Sequence, residues 1–462
     1  MAATRTARVI VLLILGVLAA WGVRVAILEG FVYEWPRHFK GDFYNAMFGS
    51  WNGQGIYYGP VFVMEHRLVE LSPHIFNEYF FAVLNVPLLA LAFIFATKAA
   101  RLGWYAIALA ATAWLCFQWV PYAFSVAANP EMLELTLLCA AWFAASRRTS
   151  LGLAATVAAA LTKRIPVVFL PLVIMADPTR RSVVIGLLMI AGGVIVGLAQ
   201  HVGPDTLLHA TSNSMSLLLP QIGPEGFRAL PPDDVPDILA QPFPYPAQFV
   251  GLSNALARLF GSSMNDWTLP FFQGFYYVVT IAVLGYATYL AYALLHGRRR
   301  IPRPQAEILS FGFFFALMPL ASITTHPHTF IFLLPTWTAI VALVATDPDV
   351  WRKRGLAALA TMCYFFMGFP APVVVLDRHL GTHLYLSVPF QDPIWANLAL
   401  LLGLFAYGAS RLHDHAAGVE ERRPHPESLA PDQTRWPASG SGRWIRLRRA
   451  FIDTTANVGQ GD

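Results

Sequence analysis

Apolar runs of membrane-crossing length recur along this chain, separated by short clusters of arginine and lysine. The runs cover 9–28, 76–97, 104–127, 131–146, 182–200, 268–295, 305–324, 328–346, 355–376 and 393–410. A helix needs about 20 residues to cross a hydrocarbon layer of about 30 Å. Inside that layer every backbone N–H and C=O has to be satisfied within the chain, which restricts the fold severely. The pattern predicts an all-α polytopic membrane protein with about ten full spans. Composition agrees, since the 462 residues are 56% hydrophobic and only 13% charged, with mean hydropathy +0.52. Soluble domains carry about 25% charged residues.

The net charge of +5 and pI near 9.1 do not point to nucleic acid, because the cations sit between apolar runs. An excess of cations on the cytoplasmic side is a topology signal. Arg5/Arg8, Lys98/Arg101, Arg147/Arg148, Arg180/Arg181, Arg298 to Arg300 and Arg352 to Arg354 are all expected there. One further apolar stretch, 151–176, is interrupted at Lys163-Arg164-Ile165-Pro166. The charge pattern is satisfied only if this stretch enters and leaves on the same side. It is therefore expected to be two half-helices dipping in from the cytoplasm, with Lys163 and Arg164 near the tip. Irregular backbone at that depth is tolerated where it lines a cavity.

This topology leaves 29–75 and 201–267 as extracytoplasmic loops and both termini in the cytoplasm, in a plasma-membrane protein. The segment 411–462 changes character to Arg, His, Glu, Pro, Ser and Gly, and is expected to be a cytoplasmic, largely disordered tail. The first run resembles a signal peptide, but it is long and lacks a clear small-residue cleavage site, so it reads as a retained span. Cys116, Cys139 and Cys363 lie in apolar runs without metal spacing, and read as small core residues.

Four polar sites are expected to face the same, outer side. Asp42 lies in a loop after the first span, with Arg37, His38 and Lys40 just before it. A carboxylate there can take a proton from an acceptor hydroxyl while cations hold a phosphate; the plain alternative is a wet loop of mixed charge. Asn129-Pro130-Glu131-Met132-Leu133-Glu134 opens a span. Asn129 as an N-cap, Pro130 at the first helical position and Glu131 near the helix dipole account for most of it. Glu134, one turn deeper, is a candidate to bind substrate hydroxyls. Lys163 and Arg164 are costly to insert, about 2.5–3.5 kcal/mol each at mid-membrane, and snorkelling to an interface is the competing reading. His326 and His328 flank Pro327; two histidines without a third ligand are poor evidence for zinc, and phosphate or sugar binding suits them better.

Together these features resemble the multi-span glycosyltransferases that use polyprenyl-phosphate sugars, the GT-C class, and within it the branch of the phosphatidylinositol mannoside mannosyltransferases. Asp42, Gly55-Ile56-Tyr57 and Tyr58-Gly59-Pro60 are the counterparts of an acid after the first span followed by Gly-x-x-Leu-Tyr and Tyr-Pro-Pro. Lys163-Arg164-Ile165-Pro166 matches a Lys-x-x-Pro after a small-residue run. His326, His328 and Leu334-Pro335 loosely match histidines opening a span that ends in Leu-Pro, and Ser253 to Arg258 resembles a Ser-x-x-x-Leu-x-Arg segment with one residue fewer between Ser253 and Leu256. The chain departs from the pattern at Tyr44, which follows Asp42 closely, at Gly59 in place of Pro, and at Pro327 between the histidines.

The resemblance implies a GT-C-like fold over 1–410 with an extracytoplasmic active site. It implies an inverting transfer of a sugar, mannose by this branch, from a polyprenyl-phosphate donor to a lipid or glycan acceptor. Asp42 would be the base. Lys163, Arg164, His326 and His328 would hold the donor phosphate, and Tyr44, Tyr57, Tyr58, Asn129, Glu134 and Arg258 would contact substrate. No metal or other cofactor is implied, and the first loop has no clear Asp-x-Asp. The donor sugar stays open among mannose, arabinose and glucose. A secondary transporter with Lys163 and Asp42 as coupling residues, or a flippase for a lipid-linked sugar, are the alternatives. The hydropathy pattern has no inverted repeat of the kind transporters carry.

Overall fold

The computed structural model describes residues 2–27, 71–72, 74–75, 78–125, 129–162, 165–176, 179–199, 252, 255, 268–297, 301–321, 327–367, 380 and 393–420. Among the described residues all regular structure is helical. The α-helices are α1 (Ala2–Ile27), α2 (Glu78–Ala99), α3 (Trp104–Cys116), α4 (Trp119–Ser125), α5 (Asn129–Ser146), α6 (Leu151–Thr162) and α7 (Leu170–Ala176). They continue with α8 (Arg180–Ala199), α9 (Thr268–His296), α10 (Arg303–Leu317), α11 (Leu334–Thr346), α12 (Val350–Phe366) and α13 (Pro393–Glu420). Short 3-10 segments run over Ile165–Phe169, Met318–Leu320 and Pro327–Leu333.

The all-helical architecture is consistent with a helical membrane protein. Among the described residues, four helical stretches are long and apolar enough to cross a membrane: Val9–Ile27, Gly274–His296, His328–Thr346 and Pro393–His413. Several other runs of the sequence appear as shorter apolar helices, and proline explains where three of them break. A proline has no N–H and its ring clashes with the carbonyl four residues earlier. Pro121 thus opposes helix at Phe117, and the run 104–127 divides there into α3 and α4. Pro166 faces back to Thr162, the last residue of α6. Pro319 faces back to Phe315, and α10 gives way to a 3-10 turn after Leu317. The final helix runs on past 410 to Glu420, so the first ten residues of the expected tail are helical.

The chain divides into two units, Met1–Ala416 and Ala417–Asp462. In the first, α2 and α5 pack side by side and run parallel. Thr136 Oγ1 donates to Leu88 O at 2.9 Å, and Phe95 meets Phe143 with ring centroids 5.7 Å apart. Both pairs have the same sequence offset, which fixes direction and register together. Both helices also end alike. Arg101 (φ 54°) and Arg148 (φ 56°) adopt the left-handed conformation. Leu102 N–H then donates to Thr97 O and Thr149 N–H to Ala144 O, satisfying last-turn carbonyls. The left-handed region suits glycine better, but a cation at this position favours the negative end of the helix dipole.

Helix α1 lies against α3, where Thr112 Oγ1 donates to Leu15 O. The approach is tightest at Gly22, where a Cβ would lie 2.3 Å from the Leu115 carbonyl oxygen. Helix α11 is central. Its Thr338 Oγ1 accepts from Trp114 Nε1 at 2.9 Å, and Trp337 packs on Phe117 and Tyr364.

The arginine-rich ends of several helices meet around one acid. Asp347, buried just after α11, accepts from Tyr407 Oη (2.6 Å), Arg352 Nε (3.0 Å) and the Asp349 N–H (2.9 Å), with Arg411 Nη1 at 3.6 Å. Arg411 in turn donates to Gln305 Oε1. Burial pushes the Asp347 carboxyl up, but the Tyr407, Asp349 and Arg352 donors outweigh it and hold the group below its usual value. At the same end, the last carbonyls of α7 are capped from other helices: Met175 O by His296 Nε2 and Ala176 O by Arg303 Nη2, both at 2.8 Å.

Candidate functional site

Away from the arginine-rich end, the described structure gathers an acid pair, a histidine and an amide. Glu131 and Glu134 sit in the first two turns of α5 and are fully buried. Glu131 lies fifteen residues before Ser146, hence about 22 Å along the helix from the end that Arg147 and Arg148 follow. His328 Nε2 donates to Glu131 Oε1 at 3.2 Å, with both side chains buried. The 3-10 segment Pro327–Leu333 positions the histidine. Its tight pitch, followed by Pro335 near the start of α11, delivers the chain from the site end into the central helix.

Aromatic rings wall this contact. Tyr122 of α4 stacks on the His328 imidazole, with centroids 6.4 Å apart and planes 11° from parallel. Trp119 stands edge-on to Tyr122 and packs on Phe330, while its Nε1 donates to Met367 O at 2.9 Å. The break that Pro121 makes between α3 and α4 is what turns these two rings toward the 3-10 segment. A buried carboxylate is tolerated only when something compensates its charge. The His328 ring and the start of α5 supply that for Glu131, because backbone N–H groups there favour a negative group.

Asn85 of α2 is fully buried, and neither its Oδ1 nor its Nδ2 has a hydrogen-bond partner among the described residues. The offset shared by Leu88–Thr136 and Phe95–Phe143 sets Asn85 level with residue 133, within the Glu131–Glu134 turn. Helix α6 approaches the same turn from the opposite direction. Gly152 packs on Ala141 and Ala144 of α5, so ten residues later the end of α6 at Thr162 falls level with residues 132–133. Both ends of the α6–α7 pair lie at the arginine-rich end, since Gly152 packs near the end of α5 and Ala176 is capped by Arg303.

Of the residues expected from the sequence, His328 and Glu134 are therefore found at one end of the assembly. Asn129 begins α5, but its side chain lies outside the described residues. Asp42, Tyr44, Tyr57, Tyr58, Lys163, Arg164, Arg258 and His326 lie outside them too. Glu131 was expected to serve the helix dipole alone; its contact with His328 adds a second role. Asn85 was not expected. It carried a readable signal, being an amide inside an apolar run, where a polar residue is costly. Among the described residues no group of three or more His, Cys, Asp or Glu side chains is arranged to hold a metal ion. No protein-family model and no curated protein matches this chain.

Proposed function

We propose that the protein is an inverting glycosyltransferase of GT-C type that moves a sugar, mannose in the first instance, from a polyprenyl phosphate to a lipid or glycan acceptor on the extracytoplasmic face of the plasma membrane. The observation that carries this reading is the buried Glu131–His328 contact, with Glu134 one turn on, at the end of the helices remote from the arginines. Ionisable side chains among membrane helices mark substrate paths by default. A polar site within an apolar frame suits a substrate that is half lipid and half sugar.

In this reading the chain contributes four roles. Asp42 takes the proton from the acceptor hydroxyl as that oxygen attacks the sugar C1. The C1–O bond to phosphate breaks, and the electron pair leaves on the phosphate oxygen. Lys163, Arg164, His326 and His328 hold the phosphate as negative charge develops on it. Glu131 fixes the His328 ring, and Glu134, Asn129, Tyr44, Tyr57, Tyr58 and Arg258 hold the sugar or the acceptor. A single base with no second nucleophile gives inversion at C1. The level at which α6 ends, immediately before Lys163 in the chain, supports bringing those cations to the Glu131–Glu134 turn. No nucleotide is needed, since the sugar–phosphate bond supplies the energy.

The test is product formation. Purified protein is incubated with polyprenyl-phosphate mannose, arabinose or glucose and a membrane lipid extract. A new glycosylated product with inverted anomeric configuration is the expected result. Movement of a lipid-linked sugar across vesicles without any covalent product would replace transfer by transport.

A further inference from the structure

The amide of Asn85 has no function in the fold described so far. It belongs to a buried stripe of α2 made of Asn85, Leu89, Ala92, Ala96 and Ala99. Every other member of that stripe is apolar, and the three alanines let the helix backbones approach closely. A leucine at position 85 would complete the pattern. Instead the chain buries an amide whose Oδ1 and Nδ2 both lack a partner among the described residues. Native proteins rarely leave such groups unmatched, and an unmatched one calls for a ligand, a water or a functional reason.

The surroundings favour a ligand rich in hydroxyls. Asn85 is level with residue 133, within the turn that carries Glu131 and Glu134. An ionised carboxylate only accepts hydrogen bonds, whereas an amide both donates and accepts. Adjacent sugar hydroxyls also do both. An amide at the level of two carboxylates can therefore read a pair of hydroxyls that the carboxylates alone cannot orient. A phosphate would use the donor Nδ2 and leave Oδ1 unmatched, so the amide suits the sugar better than its phosphate.

We propose that Asn85 is a sugar-binding residue, its side-chain amide hydrogen-bonding two hydroxyls of the lipid-linked sugar beside the Glu131–Glu134 turn. This rests on the glycosyl-transfer reading above and names the part of the donor that the inner end of the site recognises.

The experiment measures binding to the full-length protein in detergent, apart from turnover. Affinity is compared for polyprenyl-phosphate mannose and for polyprenyl phosphate alone; the ratio isolates the contribution of the sugar. In Asn85→Leu that ratio is expected to fall about tenfold, the equivalent of one to two hydrogen bonds, while affinity for polyprenyl phosphate is unchanged. Asn85→Leu is expected to melt no lower than wild type, since it removes an unmatched polar group from an apolar stripe. If it does not fold, Asn85→Gln, which keeps the amide but displaces it, decides by the same ratio. A ratio that survives in the variant overturns the proposal and leaves the amide to a buried water. If the wild type gains nothing from the sugar, with arabinose and glucose donors as well, the glycosyl-transfer reading fails, and this proposal fails with it.

Discussion

His328 and Glu131 stand 197 residues apart in sequence, yet their side chains meet at 3.2 Å in the interior. The contact joins the 3-10 segment that leads into the central helix α11 to the first turn of α5. It is therefore both a tie between two parts of the fold and the chemical centre of the candidate site.

Removing one partner tests the tie. His328→Ala leaves the Glu131 carboxylate buried without its imidazole, and breaking a buried pair in this way costs about 3–5 kcal/mol. The melting temperature in detergent should fall accordingly. Glu131→Gln keeps shape and a hydrogen bond, so its loss should be much smaller. A double-mutant cycle should return a coupling of about 0.5–3 kcal/mol; strictly additive losses would mean that the two residues act independently.

Asp42→Asn tests the proposed base. General-base catalysis contributes roughly 10²- to 10⁴-fold. Transfer should fall by that order while donor affinity and the melting temperature stay near wild type. Near-normal turnover would remove the base from this loop and shift attention to Glu134.

Asp347 at the other end should matter for stability and not for chemistry. Its carboxyl is held below its usual 3.8 by the Tyr407, Asp349 and Arg352 donors, against the opposing effect of burial. The sign follows from linkage: the stabilisation is complete above about pH 4 and is lost as pH falls below 3.8 through the lower folded value. Asp347→Ala should cost toward the lower part of about 3–5 kcal/mol, because Arg352 and Arg411 keep some contact with solvent. It should also flatten acid sensitivity in that window. Unchanged acid unfolding would assign the transition to other carboxyls.

The left-handed arginines offer a gain in stability. Arg148→Gly relieves a conformation that costs a non-glycine residue about 1–2 kcal/mol and gives up a favourable dipole contact of about 0.3–1 kcal/mol. A small rise in melting temperature is expected. A fall would show that the charge at this helix end contributes more than the backbone strain costs.

Gly22 tests the α1–α3 contact. A Cβ there would meet backbone, the Leu115 carbonyl at 2.3 Å, which cannot rotate away as a side chain would. Gly22→Ala should therefore separate the two helices and cost about 1–3 kcal/mol, although alanine is the better helix former. A melting temperature at or above wild type would refute the close approach.

The sequence by itself determined the class of fold and its punctuation. Runs such as 9–28 and 268–295 are too apolar and too long for most other uses, and a backbone in lipid must satisfy itself locally. Pro121, Pro166 and Pro319 act within four residues, so the breaks before them are written in the chain. The arginine clusters that follow α2, α5 and α9 likewise mark one end of the helices before any packing is known. Tertiary structure decided what lies beside what. The His328–Glu131 pair, the Asp347 clasp and the level of Asn85 against residue 133 depend on helix register. One step of register turns a helical side chain by about 100°, and nothing local in an apolar run selects among those rotations. The runs α2 and α5 state that two helices exist; the fit of Thr136 to the Leu88 carbonyl and of Phe95 to Phe143 sets the level of the buried Asn85 against the Glu131–Glu134 turn.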